Sequence, residues 1–264
     1  MAAYDRWAAY YDIIHQGLPG EAEFYVGQAT RKGGTVLELG CGTGRIAIPM
    51  AMSGVNVVGL DNSKPMLDRC RAKKRAIGKT PGTLKLVHAD MTDFDLGTAF
   101  DFIAMPYRTV MHLLTQDEQR RCLRTVRRHL KTDGVFALNL WVPNLLGSAC
   151  QMGGAGGGFR FAGRYSMEGL PHTIVHYCSS GYDEFKQLLI EEHLIHEVDR
   201  NGAILQAVTL PMLRTWITPR EMGNLVRLCG YAVDGLFGDF DCNPLDASST
   251  EMVWVLKRGP EPMA

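Results

Sequence analysis

The chain has no surplus of either charge. Its 264 residues carry 28 Lys plus Arg against 28 Asp plus Glu, a formal net charge of zero. A protein that grips a phosphate backbone needs basic residues in excess to release counterions, so the balance argues against a nucleic-acid partner. No apolar run approaches the length that crosses a bilayer, which argues against a membrane partner. The opening Met1-Ala-Ala-Tyr-Asp-Arg-Trp7 lacks the charged-then-apolar layout of a secretory signal. The seven Cys form no C-x-x-C pair and sum to an odd number. They read as reduced thiols of a cytoplasmic protein and not as a disulfide framework. The phosphate-loop pattern G-x-x-x-x-G-K-[ST] is also missing.

What the sequence does have is alternation. Short apolar runs at residues 35–39, 55–60, 84–88, 100–105 and 134–140 read as strands, and the stretches at 43–53, 63–75 and 116–130 read as helices. Asn62 or Ser63 is placed to cap the second helix, with Pro65 tolerated in its first turn. Pro49 lies well inside the first and should bend it or remove a hydrogen bond. Strands alternating with helices predict an α/β fold, a doubly wound and mostly parallel Rossmann-like sheet.

After Asn139 the rhythm changes. A glycine run at 153–158 leads into strand-like stretches at 173–179, 184–198 and 203–216, the last two joined by an Asn201-Gly202 turn. Thr218-Pro-Arg-Glu221 then opens a helix that Gly230 can stop, and strands at 231–237 and 251–257 would bring the main sheet to seven. The expected organisation is therefore a core over 1–150, a β-rich insertion after the fifth strand over 151–216, and a return to the core over 217–264.

Val36-Leu-Glu-Leu-Gly40-Cys-Gly42-Thr-Gly44-Arg45 is the most informative segment, a strand followed by a glycine-rich turn and a helix. Glycines at 40, 42 and 44 let the backbone turn tightly and come close to a ligand. The second strand ends at Asp61, suited to ribose hydroxyls, and the third at His88-Ala-Asp90-Met91, suited to an adenine amino group and ring face. A dinucleotide loop would need a further Gly three residues after Gly42, and Arg45 stands there instead. In combination with Gly59-Leu-Asp-Asn-Ser-Lys-Pro-Met-Leu67, these segments resemble the successive signatures of class I S-adenosylmethionine (SAM)-dependent methyltransferases, over about residues 10–144 and again 214–257. The resemblance implies that Glu38 and the loop of Gly40, Gly42 and Gly44 face the methionine part of SAM. It further implies that Asp61 holds the ribose, that Met66 or Asn62 packs near the adenine, and that Asp90 with Met91 fixes the adenine edge.

Tyr4-Asp-Arg-Trp-Ala-Ala-Tyr-Tyr11-Asp12 resembles the Tyr-Asp helix of small-molecule N-methyltransferases, such as those acting on sugar amines and glycine. This makes Tyr11 the candidate to reach over the cofactor, with Tyr10 the alternative. Met105-Pro-Tyr-Arg-Thr-Val-Met-His112-Leu113 follows the fourth strand, and relatives carry a short segment ending His-Leu there, so His112 is the candidate general base and Tyr107 is grouped with the acceptor. Arg214 and Trp216, two apart on the insertion's last strand, would face one side and hold a planar or anionic acceptor. His172 and His176 would share a strand face while His193 and His196 would face opposite ways, and no nearby Cys or acid completes a convincing set, so they read as polar surface and no metal site is expected.

The reading is thus a metal-independent transfer of methyl from SAM, leaving S-adenosylhomocysteine, to an N or O atom of a small molecule, of the kind found in secondary metabolism. An NAD-dependent oxidoreductase and a non-catalytic SAM-binding module are the alternatives. The insertion is expected to cover the site and select the acceptor, and its strand edge would also suit a homodimer.

Overall fold

The computed structural model describes residues 2–143, 158–166 and 172–260. Residues 153–157 of the glycine run lie outside the described residues. The chain divides into two compact units: one holds Met1–Ala8, Gly17–Pro143 and Ile217–Ala264, the other Ala9–Gln16 and Asn144–Trp216.

A 3₁₀ turn at Trp7–Ala9 and a one-turn helix α1 (Tyr11–Ile14) precede α2 (Glu21–Lys32). The first unit then runs β1 (Thr35–Leu39), α3 (Ala47–Met52), β2 (Asn56–Asp61), α4 (Lys64–Ile77), β3 (Leu84–His88), β4 (Phe100–Met105), a 3₁₀ turn (Thr109–His112), α5 (Gln116–His129) and β5 (Leu130–Trp141). The insertion supplies β6 (Arg160–Ser166), β7 (Thr173–Asp183), β8 (Leu188–Val198) and β9 (Ile204–Thr215). The chain returns through α6 (Pro219–Leu228), β10 (Tyr231–Phe237) and β11 (Glu251–Arg258).

The main sheet has seven strands in the order β3-β2-β1-β4-β5-β11-β10, and only β11 runs against the rest. Winding goes outward from β1 to β3 and then restarts on its other side at β4. The reversal lies between β1 and β4, where a doubly wound sheet opens its ligand crevice at the carboxyl ends of the strands. Both faces of β1 are covered. Val36 packs with Phe24 and Tyr25 of α2 and Ala47 of α3, while Leu37 and Leu39 are equally buried on the opposite face.

Local chemistry explains the helix ends. Ser63 caps α4, accepting from Met66 N–H, and Pro65 sits in the first turn. Thr115 with Glu118 and Thr218 with Glu221 form capping boxes that satisfy N-terminal amides of α5 and α6. Pro49 does not bend a helix. The segment 42–46 is turn, α3 starts only at Ala47, and Pro49 falls in a first turn whose amides need no intrahelical acceptor.

The insertion is a four-stranded antiparallel sheet, β6-β7-β8-β9. The Asn201-Gly202 turn joins β8 to β9 as expected, with Asp199 Oδ1 accepting from Asn201 and Ala203 N–H at 2.8 Å each. The β7–β8 hairpin runs further than the sequence suggested, to Asp183, whose Oδ1 accepts from Lys186 N–H and closes the turn. Strand β6, broken in composition by Gly163, was not among the expected strands. Residues 9–16 belong with this unit, and Tyr10 Oη donates to Glu197 Oε1 at 2.9 Å.

Candidate active site

The site is assembled where β1, β2, β3 and β4 end. The glycine loop is seated on β2: Cys41 N–H donates to Leu60 O at 3.0 Å, and Gly44 N–H turns back to Cys41 O at 2.8 Å. A Cβ at position 44 would lie 2.5 Å from Cys70 Sγ, and one at position 40 would lie 2.6 Å from Thr109 Cγ2. Packing alone therefore demands glycine at these two positions, before any ligand is considered. A Cβ on Gly42 would meet only Met66 Cε, at 3.4 Å.

Asp61 braces the loop from the neighbouring strand. Its Oδ2 accepts from Gly42 N–H and its Oδ1 from Ser63 N–H, both at 2.8 Å. Burial raises its carboxyl above the ordinary range, against the lowering effect of those amides and His88. Asp61 pairs in register with His88 on β3, and His88 Nε2 lies 3.0 Å from Asn62 O. Two residues on, Asp90 is exposed, with Oδ1 accepting from Thr92 N–H, and Met91 is half-buried. Of the two adenine candidates, Met66 is buried beneath the loop and Asn62 is exposed. Asp61 and Asp90 thus follow the loop in order along one sheet edge.

Glu38 is buried in the floor of the site, 2 % exposed, and its Oε2 has no hydrogen-bond partner. Burial pushes its carboxyl well above the ordinary range, and Arg45 opposes that shift. The neighbouring acids each hold an arginine, although Glu21 Oε1 is likewise without a hydrogen-bond partner. Arg45 Nη1 donates to Glu21 Oε2 at 2.6 Å, and Arg108 Nε to Glu251 Oε1 at 2.8 Å. Asn139 links Glu251 Oε2 to the Tyr25 hydroxyl at 2.9 and 3.0 Å. Glu38 is left with an acceptor atom that an ammonium group would satisfy, so the residues present fit the amino acid end of SAM.

Beyond β4 the backbone is forced into an unusual path. Tyr107 and Arg108 both take left-handed conformations, with φ of 54° and 61°. Such residues persist only when their surroundings hold them. Arg45 covers the Tyr107 ring at 4.4 Å from its centroid, and Glu251 holds Arg108. The turn Thr109–His112 follows, and its Thr109 is the residue against Gly40. Side chains three apart on a 3₁₀ turn eclipse, so His112 lies on the side of the turn that meets the loop. Its Nε2 is 2.9 Å from Tyr4 Oη. Asp5 accepts from the Ser63 hydroxyl at 2.8 Å, so the segment around Tyr4 and Asp5 ties the β4 turn to the start of α4.

The hydroxyl 2.9 Å from His112 Nε2 is that of Tyr4. Tyr11 packs on His15 with ring centroids 4.9 Å apart, and Tyr10 is engaged by Glu197. Within the insertion, Arg214 Nε donates to Glu191 Oε2 at 3.0 Å, which occupies the cation assigned to an acceptor. Trp216 is buried, and its indole N–H has no hydrogen-bond partner. His176 and His193 are not polar surface. They stack within the sheet, and burial lowers both imidazoles to about 4.

Residues that the sequence did not single out for the site are Tyr4, Glu21, Arg45, Arg108, Asn139 and Glu251. Glu251 left one signal, a lone acid heading the apolar Met252–Leu256 run.

Comparison with known proteins agrees with this layout. Residues 36–134 match a family described as a methyltransferase domain. Over 255 residues the chain is 28 % identical to a cypemycin N-terminal methyltransferase from Streptomyces sp., covering 94 % of each. A dTDP-3-amino-3,6-dideoxy-alpha-D-glucopyranose N,N-dimethyltransferase from Streptomyces fradiae is 30 % identical over 141 residues, 51 % of this chain and 52 % of that one. The CcbJ methyltransferase from Streptomyces caelestis has the same fold at a TM-score of 0.78 and 28 % identity, over 97 % of this chain and 98 % of that one.

Proposed function

Since the chain is a class I SAM-dependent methyltransferase, which sets the oxidoreductase alternative aside, we propose that its acceptor is the amine of a small molecule. SAM supplies a methyl group already activated by its sulfonium. What remains for the protein is to hold the acceptor in line and to deal with its proton. In this reading Glu38 takes the ammonium of the methionine part, Asp61 the ribose hydroxyls, and Asp90 the adenine amino group, with Met66 and Met91 against the ring.

The observation that carries the amine reading is the Tyr4–His112 pair, on the turn whose Thr109 packs on Gly40. An alkylamine is mostly protonated at neutral pH and has no lone pair to attack with until that proton leaves. The His112 imidazole accepts it, and Tyr4 Oη orients the ring through Nε2. The names of two relatives, one an N-terminal methyltransferase and one acting on an amino sugar nucleotide, support nitrogen as the target.

The test is turnover of SAM by the whole chain with amino sugars, amino acids and a peptide with a free N-terminus, each beside its hydroxyl counterpart. Methylation of an amine and not of its counterpart is the expected outcome. Methylation confined to alcohols would overturn the reading, and tight SAM binding without any turnover would favour a non-catalytic module.

The insertion is proposed to select the acceptor, because the chain leaves the main sheet for it at the carboxyl end of β5, on the edge that carries the site. A homodimer through β6 is proposed on its position at the sheet's edge and the exposure of Phe161. Sedimentation with and without a charged residue at Phe161 tests it. The scattered thiols support a cytoplasmic setting.

A further inference from the structure

The insertion holds a second cluster of chemistry-bearing side chains. Strands β7 and β8 pair with Cys178 opposite His193. Side chains alternate along a strand, so Glu191, two residues before His193, shares its face. One donor atom each from Cys178, Glu191 and His193 lies within 4.8 Å of the others. Glu191 and His193 are buried and Cys178 is partly so. The set sits on paired strands, whose geometry is more sharply fixed than that of loops.

His176 supplies an independent observation. It lies on the Cys178 face, two residues away, 5 % exposed, and its Nε2 is 2.9 Å from His193 Nδ1. Its own Nδ1 has no hydrogen-bond partner. When His193 donates from Nδ1, its Nε2 presents a lone pair toward Cys178 and Glu191. A ligating histidine fixed through its other ring nitrogen is the arrangement that metal sites use. Arg214 Nε donates to Glu191 Oε2 at 3.0 Å and fixes that carboxylate.

We propose that Cys178, Glu191 and His193 bind one divalent cation of borderline-soft character, with Zn²⁺ the best match. Thiolate, imidazole and carboxylate together suit zinc, whereas Mg²⁺ and Ca²⁺ require oxygen donors. On binding, the Cys178 S–H bond breaks, an S–metal bond forms and the proton goes to solvent, with no change of oxidation state. Three protein donors leave a fourth position for water. The ion fastens β7 to β8 and takes no part in methyl transfer. The sequence pointed away from a metal because Cys178 meets His193 through strand register and not through spacing.

The test uses the full chain, stripped with a chelator and titrated with Co²⁺, whose near-ultraviolet charge-transfer absorption reports thiolate ligation. One Co²⁺ per chain, displaced by Zn²⁺, is expected. Cys178→Ser should abolish the band, and Glu191→Gln and His193→Gln should weaken binding by about tenfold or more, as should His176→Phe acting through His193. SAM affinity, read by calorimetry, should be unchanged in all four and shows that each is folded. Absence of a thiolate band in the unaltered protein, or its survival in Cys178→Ser, would overturn the assignment.

Discussion

Tyr4 Oη and His112 Nε2 lie 2.9 Å apart although 108 residues separate them. The contact joins the first residues of the chain to the turn after β4, and the rings meet edge to face at 5.1 Å between centroids. A hydroxyl in this position sets which way the imidazole points and leaves its Nδ1 side for other partners.

Removing His112 should slow turnover by about a hundredfold and leave SAM affinity alone, as expected of a general base. Tyr4→Phe should have a smaller effect of the same kind, because it only orients. Both deficits should shrink as pH rises and the acceptor amine loses its proton unaided. Rate–pH profiles of both variants against the unaltered protein decide this. A deficit that stays constant with pH would leave His112 a packing residue.

Asp61→Ala should weaken SAM and S-adenosylhomocysteine by about 1.5–3 kcal/mol, through the lost charge-assisted bonds to the ribose. Because Asp61 also holds Gly42 and Ser63, the variant should unfold at a lower temperature when ligand-free. Calorimetric titration below that temperature separates the two effects. Unaltered affinity would remove Asp61 from the site.

Much of this was readable from local chemistry. The strands at 35–39 and 100–105 match their apolar runs, because central strands of a doubly wound sheet are apolar on both faces, and the edge strand at 84–88 matches its run as well. Both capping residues of the later helices also follow from short-range bonds. The positions of the glycine loop, Asp61 and Asp90 were legible because each falls at or just past the end of a strand. What was not legible depends on chain-distant pairing. The contact of Tyr4 with His112 was not legible, since Tyr4 stands in a Tyr-rich stretch and only tertiary contact singles it out. Arg108 with Glu251, and Cys178 with His193, meet through the alignment of elements that no spacing rule reports. Pro49 was misjudged because the start of α3 is set by the glycine loop, and periodicity cannot see that.

Glu38→Gln should weaken SAM by about tenfold, since the ammonium loses a charged acceptor. The ligand-free protein should behave in the opposite sense. A carboxyl whose folded pKa is raised holds its proton in the native state over a range where the unfolded chain has released it. Stability then falls as pH climbs from the ordinary glutamate range towards the raised value. Glutamine has no proton to lose, so Glu38→Gln should flatten that fall and unfold later at neutral pH. Denaturant titrations across pH check it, and parallel curves for the two proteins would contradict it.

Gly44→Ala should destabilise the fold more than Gly42→Ala. Both positions have positive φ, of 84° and 52°, but only at 44 does a methyl run into a fixed neighbour, Cys70 Sγ at 2.5 Å. A loss of about 1–3 kcal/mol is expected for such overpacking. Cys70→Ala in the Gly44→Ala background should recover part of it, a coupling that thermal unfolding of the single and double variants would register. Equal losses at 42 and 44 would mean that backbone conformation, and not the helix contact, sets the requirement.

Arg108 and Glu251 form the brace that keeps the chain in its left-handed path after β4. Two such residues in succession cost about 1–3 kcal/mol each, so the turn needs a compensating hold. Glu251 is 6 % exposed and also accepts from Asn139, while a quarter of the Arg108 side chain reaches solvent. Glu251→Gln keeps the shape and the Asn139 contact but leaves the guanidinium without its counter-charge. Breaking a buried pair from one side costs about 3–5 kcal/mol, and the partial exposure of Arg108 points to the lower end. Replacing both residues with apolar ones of similar volume should restore most of the stability, because no uncompensated charge remains. Turnover should not return with it, since the turn that carries Thr109 and His112 would no longer be pinned. Denaturant unfolding should therefore recover from the single to the double variant while kcat does not. A double variant as active as the unaltered protein would show that the ion pair serves stability alone.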